Sequence, residues 1–445
     1  MYSAKRLPVH TGPAAWSAIL PDRPASLPLR DAITTDFAII GAGFAGLSAA
    51  RRLTQLNPGA RIVVLDAGAV GEGAAGRNSG FMIDLPHDLT SEDYAGSDDT
   101  GERDLIALNR AAIDFAREAV DEYSIKPDFF DPVGKINGAA TARGHAANLS
   151  YAAHLEGLNE AHEVLDAQAM QETTGSSYYT SGLYTPGTVM LQPSGYVRGL
   201  AEGLRDAVAL HENTPALSLE RKGADWTVQT PQGSVTAGAV VLANNGHLES
   251  FGFAKRRLMH VFLFATMTDD LSGENLRKLG GQPRWGITPS DPMGTTVRRI
   301  DSGQGGNRIV TRTCAHFQPS MQTSRRQLDR ATRVMRQKFD ARFPQLSQIS
   351  MQYAWAGHLC LSRNGVSVVG RLDDGIFAAC CQNGLGTARG TLTGMAAAEI
   401  ASGTSSALTT HFTRADRPTR LPPAPLSTVG ANVVLRWKEH QARQE

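Results

Sequence analysis

The chain has 445 residues, more than one hydrophobic core commonly supports, so two domains or one domain with a large insertion are expected, with room to bury a cofactor. Its 44 Lys and Arg against 43 Asp and Glu leave a formal charge of +1, which gives no electrostatic reason to expect nucleic acid or an anionic membrane and points to a small-molecule substrate. Cys314, Cys360, Cys380 and Cys381 have neither the number nor the spacing of a disulfide framework or a CxxC zinc site, which fits reduced thiols in a cytoplasmic protein.

Residues 1–33 are proline-rich and aperiodic, and an extended arm lying on the surface is expected there. Pro8, Gly12 and Pro13 interrupt the apolar stretch that a signal peptide needs, and no run of about 18 apolar residues suggests a membrane span. Phe37 to Ile40 reads as a strand, followed by a glycine turn and a helix with Leu47, Ala50 and Leu53 on one stripe. Asn57-Pro58-Gly59 ends that helix, and Ile62 to Leu65 supplies a second buried strand, completing a βαβ unit of a parallel sheet. An amphipathic helix is predicted over 101–123, and further helical patterns over 145–172. Strands return at Trp226 to Thr230 and Ser234 to Leu242, joined by a turn at Pro231-Gln232-Gly233. His260 to Met267 and Arg308 to Thr313 read as strands, and Ser324 to Phe339 as a charged helix. Val366 to Val369 and Ile376 to Cys380 read as strands before a small-residue helix that opens at Gly384-Leu385-Gly386 and runs to about Ile400.

The expected fold class is therefore α/β: a doubly wound Rossmann-type cofactor domain interleaved with an α+β substrate domain built on an antiparallel sheet. The arm occupies 1–33, the cofactor domain 34–87, 190–250 and 349–403, the substrate domain 88–189 and 251–348, and a tail 404–445.

In the turn Gly41-Ala42-Gly43-Phe44-Ala45-Gly46, Gly41 permits the tight bend, Gly43 lets backbone approach a pyrophosphate, and Gly46 allows close helix-to-strand packing. Asp66, twenty residues after Gly46 at the end of the next strand, is placed to accept ribose hydroxyls. Directly downstream, residues 71–80 form a second N–H-rich stretch suited to the diphosphate and ribityl chain of a flavin, with Arg77 able to neutralise phosphate charge. No GxSxG elbow or P-loop occurs, and His154 and His162 are not spaced as a zinc-binding helical pair, so no metal is expected.

The glycine turn, the stretch Ala75-Gly76-Arg77-Asn78-Ser79-Gly80, Thr214-Pro215-Ala216, Val240 to Gly246 and Trp355 to Gly403 together resemble the D-amino-acid-oxidase-like (DAO) flavoproteins. Within them, the likeness is to the branch of gamma-glutamylputrescine oxidase and other secondary-amine, sarcosine-oxidase-like enzymes. The resemblance implies FAD as cofactor, contacted by Gly76, Arg77, Asn78, Ser79 and Gly80 on the flavin and ribityl side and by Ala216 at the adenine. Asn383, Gly384, Leu385, Gly386 and Thr387 would sit against the isoalloxazine, where the start of the last helix stabilises negative charge. Family members often carry Ser-Gly-His-Gly there, so Leu385 removes a polar group. Cys360 has the spacing, in Gly357-His358-Leu359-Cys360, of the cysteine to which monomeric sarcosine oxidases attach flavin covalently; the alternative is a buried structural thiol.

The implied activity is hydride transfer from the carbon beside an amine nitrogen to flavin N5, imine hydrolysis, and reoxidation by O2 to give H2O2. By the same resemblance Arg308 stands nearest the cation that serves dioxygen, with Arg312 further along the strand. His260, Phe262, Arg298 and Trp355 are the expected substrate wall, against a reading of aromatics on strands as core. A dehydrogenase passing electrons to a quinone or other carrier, and a non-catalytic nucleotide-binding sensor, are the alternatives. Neither the amine nor the oligomeric state is legible.

Overall fold

The computed structural model describes residues 1–24, 26–86, 99–423 and 426–445, with backbone only at 99, 100 and 426. Three strands rich in Ala, Ile and Val, Ala32–Ile40, Ile62–Leu65 and Ser234–Leu242, form the centre of a nine-stranded sheet. They pair in parallel, Ile40 beside both Leu65 and Leu242, and Ile376–Cys380 adds on the far side with Ile376 opposite Val240. Parallel strands need cover on both faces, hence the near-continuous apolar runs. Helices Phe44–Leu56, Pro193–Gly203 and Ala388–Ala401 seal one face through Leu47, Leu53, Val197 and Leu392. Trp226, Leu248, Phe251 and Leu258 close the other. The predicted hairpin is present as Asp225–Gln229 and Ser234–Leu242, extended by Ser218–Lys222 into an antiparallel meander.

The second layer is an eight-stranded sheet, antiparallel except where Trp285–Pro289 runs parallel to Lys135–Ala139. At one edge Met351–Leu361 pairs with Met259–Thr268, which in turn pairs with Arg308–Phe317. Helix Arg325–Arg342, started by a capping box between Ser324 and Gln327, covers one face against Phe262, Phe264 and Cys314. The tail holds helix Leu426–Gln441, where Asn432 imitates a strand neighbour by accepting from the Phe317 N–H and donating to its carbonyl.

Two expectations need correction. The arm is built in rather than laid on the surface: Tyr2–Ser3 joins the edge of the nine-stranded sheet, and in the short helix Ala15–Ala18 Trp16 is fully buried. An indole of that size anchors the arm because it packs on Met267, Val310 and Trp355 while its N–H donates to the Asn78 carbonyl. Strand Met351–Leu361, placed by the boundary at 349 with the cofactor domain, instead belongs to the eight-stranded sheet. Among the described residues, no helix is long and apolar enough to cross a membrane.

Candidate active site

The glycine turn lies where the parallel strands end. Gly41 has φ of +111° and a Cβ there would sit 2.6 Å from the Ala243 carbonyl oxygen; one at Gly46 would sit 1.7 Å from that of Gly41. Helix Phe44–Leu56 starts at Gly43 with no side chain capping it, so its first-turn N–H groups open onto a groove. Gly41, Ala42, Gly43, Phe44, Ala45, Asp66, Asn78, Ala216, Cys360, Gly384 and Gly386 line that groove. Asp66 takes the Ala42 N–H at 2.7 Å and the Gly68 N–H at 2.9 Å, which fixes the carboxylate against the turn, and burial pushes it up to about 6.

Three observations fit a bound dinucleotide in this groove. The uncapped helix start suits a diphosphate. A Cβ at Gly73 or Gly386 would meet nothing within 4 Å, so both border open space. The Asn245 Oδ1 is buried on the groove wall with no hydrogen-bond partner, a polar atom awaiting a donor.

At Ala74, Asn78, His358, Leu359, Gly384 and Gly386 the groove meets a second chamber of about 100 Å³, because these residues line both. Leu263, Ala265 and Arg312 come to the chamber from the second and third strands of the eight-stranded sheet, Thr288 from a strand nearer its middle, and Ser79, Gly80, Phe81, Leu385 and Thr387 from the cofactor side. The Thr387 hydroxyl donates to the Phe81 carbonyl at 2.6 Å, joining the start of helix Ala388–Ala401 to the end of the glycine-rich stretch.

Several candidate residues have other roles or lie behind the cavity walls. Gly46 and Gly76 lie behind their turns; a Cβ at Gly76 would be 1.7 Å from the Gly71 carbonyl oxygen. Arg77 is a strut rather than a phosphate ligand: its guanidinium donates to the carbonyls of Glu72, Thr11, Ala356 and Gly12, and burial lowers it to about 10. Asn383 holds the next turn, accepting from the Ser362 N–H and donating to the Gly365 carbonyl, both at 2.7 Å. Cys360 touches the groove wall but is packed in core beside Cys380 and Cys381; a hydrogen bond with Cys381 and burial raise its thiol well above the usual range.

The expected substrate wall does not line the chamber. Trp355 is core beside Trp16. His260 and Phe262 point to the opposite face of their strand, because side chains alternate and Leu263 and Ala265 take the chamber side. Arg298 is buried, donating to the carbonyls of Ser79 and Leu191 and to Gln304, with its guanidinium 5.1 Å over the Trp16 ring. Arg308 is separated from the chamber by the Trp16, Met267 and Val310 cluster and donates to the Thr268 carbonyl and Gln352. Arg312, two strand repeats along, is the arginine of this strand that lines the chamber.

The sequence reading missed two groups. His358 Nε2 lies 3.2 Å from His260 Nδ1, and His260 Nε2 lies 2.7 Å from the Glu249 carboxylate. Glu249 can accept from His260 Nε2–H while His260 Nδ1 accepts from His358 Nε2–H, which links the three groups in one chain. Burial, with His260, His247 and His10 nearby, keeps His358 well below the usual histidine range. His260 and His358 are diagonal neighbours on paired strands, a relation that no local spacing signals. Lys135, fully buried behind Thr288 and lowered to about 8 by burial, sits in a strand of no recognisable alternation. Among the described residues no cluster of ligands could hold a metal ion.

Comparison with known proteins agrees with this architecture. The profile of the DAO family, FAD dependent oxidoreductase, matches residues 36–400. The probable oxidoreductase OrdL of Haemophilus influenzae is 26% identical over 389 residues, covering 84% of each chain. The gamma-glutamylputrescine oxidoreductase of Escherichia coli is 25% identical over 382 residues, covering 84% of this chain and 85% of that one. Among solved structures, glycine oxidase from Geobacillus kaustophilus superposes with a TM-score of 0.70 at 18% identity, over 88% of this chain and 100% of that chain.

Proposed function

The chain belongs to the DAO family of FAD-dependent oxidoreductases, and from that premise we propose that it oxidises the C–N bond of an amine or amino acid derivative at the chamber beside His358, with O2 as acceptor. Held along the groove by the turn Gly41 to Ala45, Asp66 and Gly386, FAD would supply the two-electron acceptor for oxidation of the C–N bond, with O2 taking up the electrons and water completing hydrolysis of the oxidised product. The junction of groove and chamber carries this reading, since a dinucleotide lying along the groove would bring one end to the chamber there.

The chain's own residues set the conditions. The chamber is small enough to admit the reacting end of a substrate rather than a whole large molecule, and Leu263, Ala265, Leu359 and Leu385 keep it largely apolar and poor in water. An apolar wall favours the neutral amine, the form with a lone pair to release. Arg312 supplies positive charge where the acceptor must gain electrons. Substitution Arg312→Met should leave anaerobic flavin reduction by substrate near wild type while slowing reoxidation in air on the order of 10- to 100-fold.

The deciding experiment is a screen of secondary amines, gamma-glutamylated amines and amino acids for bleaching of the flavin without oxygen and release of peroxide in air. No bleaching with any of these classes would reject amine oxidation. Bleaching without rapid reoxidation or peroxide would reject O2 and assign the electrons to a carrier.

A further inference from the structure

The family profile begins at residue 36, yet Ala4, Arg6, Leu7, Pro8, Val9 and His10 line the same groove as the glycine turn, Asp66 and Ala216. We propose that residues 4–12 are a strap that closes over bound FAD, a cofactor-binding element that precedes the residues matched by the family profile. Its two ends are tied to different layers of the molecule. At one end Tyr2–Ser3 pairs with Ser218–Lys222, the Ala4 N–H donates to the Leu217 carbonyl at 2.7 Å and the Lys5 N–H to that of Ser250 at 3.0 Å. Ala216 and Phe251, next to those acceptors, are groove wall.

At the other end the Thr11 carbonyl accepts from the Ala356 N–H at 2.9 Å, on the strand that carries His358, and the Thr11 hydroxyl bonds to Thr323. Gly12 has φ of +76°, and a Cβ there would lie 2.2 Å from the Ala354 carbonyl oxygen, so a side chain would lift the strap off this strand. Arg77, from the glycine-rich stretch, clamps the same point through the Gly12 carbonyl at 3.0 Å. The residues between the Lys5 and Thr11 anchors span at most about 20 Å when extended.

The side chains of this span explain themselves once a cofactor lies beneath them. Leu7 is 40% and Val9 48% exposed, and both face the groove. In extended chain, positions two apart share a side, so these two offer an apolar surface that a bound dinucleotide would cover. With the strap seated, FAD is held between it and the glycine turn, so loading and release require one anchor to open.

Trypsin can cut after Lys5 and Arg6, within the strap. Cleavage there in the full-length protein should slow on the order of tenfold when FAD is bound, relative to apoprotein, because protection follows closure; equal rates with and without FAD would overturn the proposal. The double substitution Leu7→Ser and Val9→Ser alters exposed positions outside the core. It should release FAD about tenfold faster, read as recovery of free-flavin fluorescence on dilution, with the unfolding midpoint of the apoprotein unchanged. Gly12→Ala should act in the same direction; if that variant does not fold, the double substitution decides alone. Release at the wild-type rate in the double variant sinks the strap while leaving FAD binding intact, whereas a wild-type protein that takes up no FAD would refute the cofactor itself.

Discussion

Burial raises the Asp66 carboxyl to about 6, the N–H groups of Gly68 and Ala42 pull against that, and the charges of Glu212 and Glu72 push with it. Because the folded-state value exceeds that of an unfolded carboxylate, this group favours folded apoprotein at low pH, and the contribution is lost as pH rises through about 6. Cofactor binding carries the opposite sign. Ribose hydroxyls need an acceptor, and protonation removes acceptor capacity, so FAD affinity should fall as pH drops through about 6. Titrating apoprotein with FAD on either side of that value checks the slope; Asp66→Asn should flatten it and weaken binding about tenfold. Cys360 yields a second prediction. Attack on a flavin needs thiolate, and its surroundings favour the thiol, so acid precipitation should leave the flavin in the supernatant. Flavin retained in the pellet by wild type and lost from Cys360→Ser would show the covalent link after all.

Between elements, the contact that most constrains the site is the one between helices Phe44–Leu56 and Ala388–Ala401. A Cβ at Gly394 would lie 2.1 Å from the Ala45 carbonyl oxygen, so Gly394→Ala must push helix Ala388–Ala401 away from the glycine turn. The expected cost is about 2 kcal/mol of apoprotein stability, measured by denaturant unfolding, together with weaker FAD binding because both helices start on the groove. An unchanged midpoint would mean that the helices can separate freely. What the sequence disclosed about elements follows the range of their contacts. The glycine turn, its flanking strands, the Pro231-Gln232-Gly233 hairpin and the charged helix after Ser324 are local, and they were readable. Lys135–Ala139 was not: all five of its residues are buried, so no alternation marks it, and its parallel partner Trp285–Pro289 lies far along the chain. Trp16 looked like part of a loose arm for the same reason, since its neighbours Met267, Val310 and Trp355 come from three distant strands. The substrate wall misled through parity: His260 and Phe262 are on the right strand, one residue out of phase with the chamber.

At the scale of the molecule, the chain crosses repeatedly between its two large sheets. The nine-stranded sheet takes Tyr2–Ser3, then strands from Ala32–Ile40 to Ile62–Leu65, again from Ala209–His211 to Ser234–Leu242, and finally Val368–Asp373 and Ile376–Cys380, while the eight-stranded sheet and a small three-stranded one draw on the stretches between. Neither sheet can be assembled from one contiguous piece, and the groove is walled by both, through the glycine turn on one side and His358 to Cys360 on the other. Separate unfolding of one layer would strand the apolar faces of the other, so the apoprotein should unfold in a single transition, seen at one midpoint by far-ultraviolet and by tryptophan signals. A ligand bound across both layers binds only the intact arrangement. FAD at about 100 times its dissociation constant should therefore add about 2.7 kcal/mol and shift that one transition upward without splitting it. Loss of flavin at a temperature below the main transition, with secondary structure retained, would show instead that one layer opens independently and that the groove belongs to a single sheet in energetic terms.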